Sequence, residues 1–72
     1  MTKEESQTLP IGALLFHTST LFIGQGLRVP CSYWLVMGKQ QGDVVLLMVR
    51  GSGAQDVVSQ DVLAQINWRR IA

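Results

Sequence analysis

The feature that most constrains this fold is a pair of apolar runs joined by a short polar segment. The runs cover residues 32–37 and 43–50, and the segment between them has a glycine at each end, Gly38 and Gly42. Two strongly β-prone runs around a short glycine-bounded loop are typical of an antiparallel hairpin. The pattern therefore predicts a hairpin over residues 32–50 with a five-residue loop.

Both strands of this hairpin are apolar on both faces. In the first strand, Trp34 and Val36 share one face, whereas Tyr33, Leu35 and Met37 share the other. A hairpin with one face in water would be polar on that face. The hairpin is therefore expected to be the centre of a small barrel, to lie between two layers, or to form a protein interface.

The rest of the chain predicts further short strands around the hairpin. Strands are expected over residues 11–17, 21–23, 57–58 and 66–71, and Ser59 is expected to cap one helical turn over residues 60–64. This order predicts a mainly β fold, a small SH3-like barrel of about five short strands with one short helical turn. The four-residue spacing of Val58, Val62 and Ile66 leaves an alternative, an α+β fold with a helix near residues 54–65.

Length and composition indicate one domain that needs a partner. Residues 1–8 are polar and are expected to form a flexible N-terminal tail, so residues 9–72 form the single domain. A chain of 72 residues buries only about 60% of its unfolded surface. Its one cysteine excludes an internal disulfide, and that cysteine and one histidine cannot close a zinc site. Because 47% of the residues are apolar, a homo-oligomer or another protein partner is expected.

Net charge and sequence pattern restrict the class of partner and the cellular compartment of the protein. The net charge is +1, which disfavours a dominant nucleic-acid footprint. The lone cysteine fits a reducing compartment, and no secretory leader is visible, so a cytoplasmic location is expected. Residues 6–27 carry no charge, but their apolar pieces are far shorter than the roughly 20 residues of a spanning helix. No membrane association is expected.

No set of residues in the sequence predicts catalysis, a metal site or a cofactor. His17 is expected to end a strand with its ring at the surface, and Cys31 to be a small buried residue. Asp56 and Asp61 fit turn and cap positions rather than an acid–base pair. The two Gly-x-Gly pairs at residues 24–26 and 51–53 lack the third glycine of a dinucleotide fingerprint. The chain is therefore expected not to be an enzyme.

Four side chains are candidates for binding a partner. Trp68 lies near the chain end beside Arg69 and Arg70, and Tyr33 is the aromatic residue on the second face of the hairpin. Tryptophan, tyrosine and arginine are enriched in interface hot spots. Trp34 is expected in the core, and a core position is also the alternative for Trp68.

The second half of the chain resembles small immunity proteins of bacterial polymorphic toxin systems. The residues that carry this resemblance are Tyr33-Trp34-Leu35-Val36, Gly42, the apolar run 44–49, Gly51-Ser52-Gly53 and Asn67-Trp68. The resemblance covers about forty residues, and Ser52 stands where a charged residue is expected. It implies a cytoplasmic protein that binds and neutralises a cognate toxin.

Three functional hypotheses follow for this chain. The first is a protein-binding module that neutralises a toxin or acts as a similar inhibitor. The second is a small-barrel nucleic-acid-binding or regulatory protein, for which Arg28, Arg50 and the arginines near the C-terminus supply cations. The third is an oligomer with a ligand site shared between its copies.

Overall fold

A five-stranded antiparallel sheet organises the chain. The computed structural model describes residues 1–18, 21–23, 27–29, 31–49 and 53–72, and for residues 21–23 and 27–29 only the backbone is described. The elements in these residues are α1 (Lys3–Gln7), β1 (Leu14–His17), β2 (Leu21–Ile23), β3 (Leu27–Val29), β4 (Ser32–Gln40), β5 (Asp43–Met48), β6 (Gln55–Ser59), α2 (Gln60–Leu63) and β7 (Trp68–Arg70).

The strands form one large sheet and one small ribbon. The sheet has the order β6-β5-β4-β1-β7, and β2 pairs with β3 in a separate two-stranded ribbon between β1 and β4 in the chain. The prediction of a mainly β chain with a short helical turn is confirmed. The large sheet is open, with β6 and β7 at its edges, so an SH3-like barrel is not confirmed.

The predicted hairpin is β4 and β5, and it occupies the middle of the sheet. Its turn is shorter than the predicted five-residue loop, because β4 continues to Gln40 and only two residues reverse the chain. Gln41 and Gly42 have φ values of 39° and 90°. Positive φ at both turn positions is the type I′ geometry, whose twist matches that of the flanking strands. Met37 is the extra residue where the register shifts between Val36 and Gly38.

One face of the sheet, called here the inner face, forms the core with the helices. Alternation along β4 and β5 buries Trp34, Val36, Val44 and Leu46 completely. The indole N–H of Trp34 donates to the Ser32 hydroxyl oxygen at 2.7 Å, so this buried polar pair is satisfied. The other core residues are Leu9, Ala13, Leu15, Met48, Leu63 and Trp68. Because Leu9 follows α1 and Leu63 belongs to α2, both helices lie on the inner face.

The two helices have the local signals that start a helix. Ser59 caps α2 by accepting a hydrogen bond from Val62 N–H, as predicted. The alternative of a helix near residues 54–65 is wrong, because β6 occupies the first half of that range. At the other end of the chain, the structure has α1 where the sequence predicts a flexible tail. Thr2 and Glu5 form a reciprocal capping box there, which satisfies two backbone donors.

Polar groups occupy both edges of the sheet. Met48 N–H donates to Ala54 O and Gln60 N–H to Gly42 O, so the even-numbered residues of β6 direct their backbone groups toward β5. The backbone N–H of Val57 therefore points away from the sheet, and the Asp56 carboxylate accepts it at 2.9 Å. At the opposite edge, the Met1 amino group donates to the backbone carbonyl of Trp68.

Substitution of the turn glycine should destabilise the protein. Gly42→Ala is expected to lower the free energy of unfolding by about 1 kcal/mol, because a side chain at φ 90° is strained. Gly38→Ala is the matched control: its backbone has no positive φ, and a Cβ there meets no atom within 4 Å. This control should be neutral or stabilising by about 0.5 kcal/mol. Urea denaturation measures both values, and equal stability of the two variants would contradict the turn geometry.

Candidate protein-binding surface

The second face of the sheet is apolar although neither helix covers it. This surface is called the open face. The strand registers place seven apolar residues on it: Leu14, Phe16, Tyr33, Leu35, Val45, Leu47 and Val57. Backbone hydrogen bonds that continue the pairing add Val49 and Ile71, and the exposed bulge residue Met37 brings the number to ten. The predicted division of β4 is confirmed, since Trp34 and Val36 are buried while Tyr33 and Met37 are exposed.

Large parts of the open face are accessible to solvent. The exposed fractions are 41% for Tyr33, 43% for Met37, 49% for Val49 and 53% for Val57. The residues nearer the centre, such as Leu35 and Leu47, are half-buried by their neighbours on the same face. An antiparallel sheet with one solvated face normally alternates apolar and polar residues. The open face has polar residues mainly toward its ends and edges and is otherwise apolar, so it is a candidate contact surface.

Two of the four predicted binding residues lie in one row across the open face. Phe16 pairs with Tyr33 on β4 and with Arg69 on β7. The rings of Phe16 and Tyr33 have centroids 4.8 Å apart and are tilted by 45°. Neighbouring strands are about 4.8 Å apart, so Tyr33 and Arg69 lie about 10 Å from each other across Phe16. The row combines two aromatic rings with one exposed guanidinium group.

The sequence analysis did not single out Phe16 as a binding residue. Phe16 lies on the open face because its β1 neighbours Leu15 and His17 are both buried and strand residues alternate between faces. The predicted exposure of His17 would instead have placed Phe16 on the inner face. The sequence does not show that β1 pairs with both β4 and β7. That pairing brings together residues that are far apart in the chain.

The other two predicted binding residues lie at the β7 edge, beside a shallow cleft of about 370 Å³. The residues that line the cleft are Met1, Glu5, Ile66, Trp68, Arg69 and Arg70. The side chain of Arg70 donates from Nε to the carbonyl oxygen of Ala72 at 3.4 Å. Both arginines are exposed, and a guanidinium group can hold a carboxylate through two parallel hydrogen bonds. The cleft is therefore suited to an acidic group.

Trp68 itself lies in the core, which is the alternative considered from the sequence. Only 1% of its surface is exposed. Its ring meets the Trp34 ring at a centroid distance of 6.4 Å and the His17 ring at 4.6 Å, both edge to face. Its role in binding a partner stays a prediction, whereas its packing is established.

Two predictions of exposure are wrong. His17 does end β1, but it is 4% exposed because its ring packs against Trp68. Cys31 was expected to be buried, yet it is exposed, since it precedes β4 rather than belonging to its inner face. The glycines at 24, 26 and 51 lie outside the described residues.

Several kinds of site are missing from the described part of the chain. Among those residues, no group of three or more histidine, cysteine or carboxylate side chains is placed to hold a metal ion. None of the helices described is long and apolar enough to cross a membrane.

Comparison with protein-family models, with curated proteins and with solved structures gives no match to this chain.

Truncation of Trp68 should unfold the protein rather than only weaken binding. Trp68→Ala is expected to cost about 3–5 kcal/mol of stability, because it leaves a cavity between Trp34 and His17. Arg69→Ala, one residue away and exposed, should change stability by less than about 0.5 kcal/mol. Thermal denaturation of the two variants distinguishes these outcomes. A Trp68→Ala variant with the same melting temperature as the wild type would show that the ring lies outside the core.

Proposed function

We propose that this chain is a protein-binding module that acts without catalysis and uses the open face as its contact surface. The observation that carries the proposal is the composition of that face: ten apolar residues lie on it, and neither α1 nor α2, the helices of the described residues, covers it. Contiguous apolar patches larger than a few hundred Å² are uncommon on monomeric proteins and mark interaction sites. Burying such a patch contributes roughly 25 cal/mol for each Å².

The row of Tyr33, Phe16 and Arg69 is the expected centre of binding energy. Aromatic residues and arginine are enriched at the centres of interfaces, where the surrounding residues exclude water. Val49 continues this row next to Tyr33, to whose carbonyl oxygen it donates its backbone N–H, and offers a compact apolar contact. Met37 lies further along β4 and offers a flexible one. A protein partner with a complementary apolar surface and an acidic group near Arg69 fits this arrangement.

Neutralisation of a cognate toxin is the finer form of this proposal. What supports it is the resemblance to immunity proteins over the second half of the chain, together with a binding surface that needs no catalytic group. Its test is co-expression of the chain with a toxin encoded by a neighbouring gene. Rescue of growth by the wild type and loss of rescue in a Tyr33→Lys variant would support it.

Nucleic-acid binding is less well supported by the same surface. Among the described residues of the open face, Arg69 is the single cation, and Asp43 lies on the same face. Binding to nucleic acid depends on many contacts between cations and phosphates. An apolar face with balanced charges suits protein far better.

Site-specific photo-crosslinking tests the proposed contact surface in cells. A benzophenone amino acid at position 33 lies on the open face, whereas the same group at position 62 lies on α2 with a similar exposure of 38%. Cross-links to protein are expected from position 33 and not from position 62. If position 33 yields no protein adduct, or no more than position 62, the open face is not the contact surface.

A further inference from the structure

The open face has an area of the order that a stable dimer needs. The chain measures 28 × 21 × 20 Å and has an accessible surface of 4558 Å². The broad face of a block with these proportions is about a fifth of its surface. Taken as the broad side of such a block, the open face with its rim has on the order of 850 Å², of the same order as the roughly 800 Å² that each partner contributes to a standard interface.

The charges of the open face suit contact with an identical copy. Its described residues include one guanidinium group, Arg69 on the edge strand β7, and one carboxylate, Asp43 at the start of β5. These groups lie near opposite ends of the strands, because Arg69 is in the row of Tyr33 whereas Asp43 pairs with Gln40. A surface with one charge of each sign has no net repulsion against itself. In a two-fold dimer, each contact between one residue and another across the interface occurs twice.

The shape of the face also fits sheet-on-sheet packing. Two apolar sheet faces pack about 10 Å apart, with side chains from each interleaving. Residues of intermediate size cover the centre, with Leu35 opposite Leu47 and Val45 opposite Val57. A dimer of this kind would give each chain a second apolar layer, which a domain of 72 residues cannot build alone.

From the area, the charge balance and the apolar pairs, we propose that the open face is occupied by a second copy of this chain. The two sheets pack face to face in a closed two-fold dimer. This inference rests on the proposed function, since it names the partner of the same surface. Other proteins are alternative occupants and appear below as outcomes of the test.

Matched substitutions test the dimer in purified protein. Sedimentation velocity and native mass spectrometry from 1 to 100 µM should show the wild type shifting from the mass of one 8.0 kDa chain toward twice that mass. Val57→Lys, on the edge strand β6, and Tyr33→Lys, on the central strand β4, should each weaken dimerisation at least 100-fold. Val62→Lys introduces the same charge at an exposed valine of α2 and should leave the dimer unchanged. Circular dichroism checks that each variant is folded.

A measurement without substitutions covers the case in which a variant unfolds. Hydroxyl-radical labelling of the wild type at 1 and 100 µM compares Met37, which is 43% exposed on the open face, with Met48, which is 6% exposed in the core. Dimerisation should reduce the oxidation of Met37 several-fold as the concentration rises. The oxidation of Met48 should stay low at both concentrations.

The outcomes separate this inference from the proposed function. A wild type that stays monomeric to 100 µM, or a dimer that survives both lysine substitutions, overturns the second-copy inference. If position 33 still cross-links in cells to a protein of another mass, the open face binds a different partner and the proposed function stands. If position 33 cross-links to nothing, both fail. A cross-linked adduct of two identical chains supports both.

Discussion

The packing of Trp34 is the interaction on which the rest of the structure depends. Trp34 lies on the central strand β4, is fully buried, and donates its indole N–H to Ser32. Its ring also meets Trp68 on β7, so it connects the middle of the sheet with one edge across β1. Because strand residues alternate, fixing Trp34 on the inner face places Tyr33 and Leu35 on the other. The burial of one tryptophan therefore determines which apolar residues lie on the open face.

Local patterns in the sequence were sufficient to predict the elements near the hairpin. The alternation of β4 and β5, the cap at Ser59 and the strand before it all depend on residues within a few positions. The N-terminal helix was missed although its signal, Thr2 followed three residues later by Glu5, is equally local. Polar composition alone favours a tail, whereas the capping box favours a helix start.

The arrangement of the strands was not predictable in the same way. His17 is buried because Trp68, fifty-one positions later, packs against its ring. The row of Tyr33, Phe16 and Arg69 likewise requires β1 to lie between β4 and β7. The residue types of Tyr33 and Arg69 predict each of them as a binding residue separately. Their common surface follows from long-range pairing, which residue patterns do not encode directly.

The carboxylate at the β6 edge has a consequence for how such a sheet can grow. Asp56 holds the outward backbone N–H of Val57, which a sixth strand would need for its own pairing. Strand addition at an edge creates a new edge, so it can continue into a filament. A contact between the open faces of two copies instead closes, because the open face of each copy is then covered. Asp56 thus acts against open-ended polymerisation, and it leaves association across the sheet unhindered.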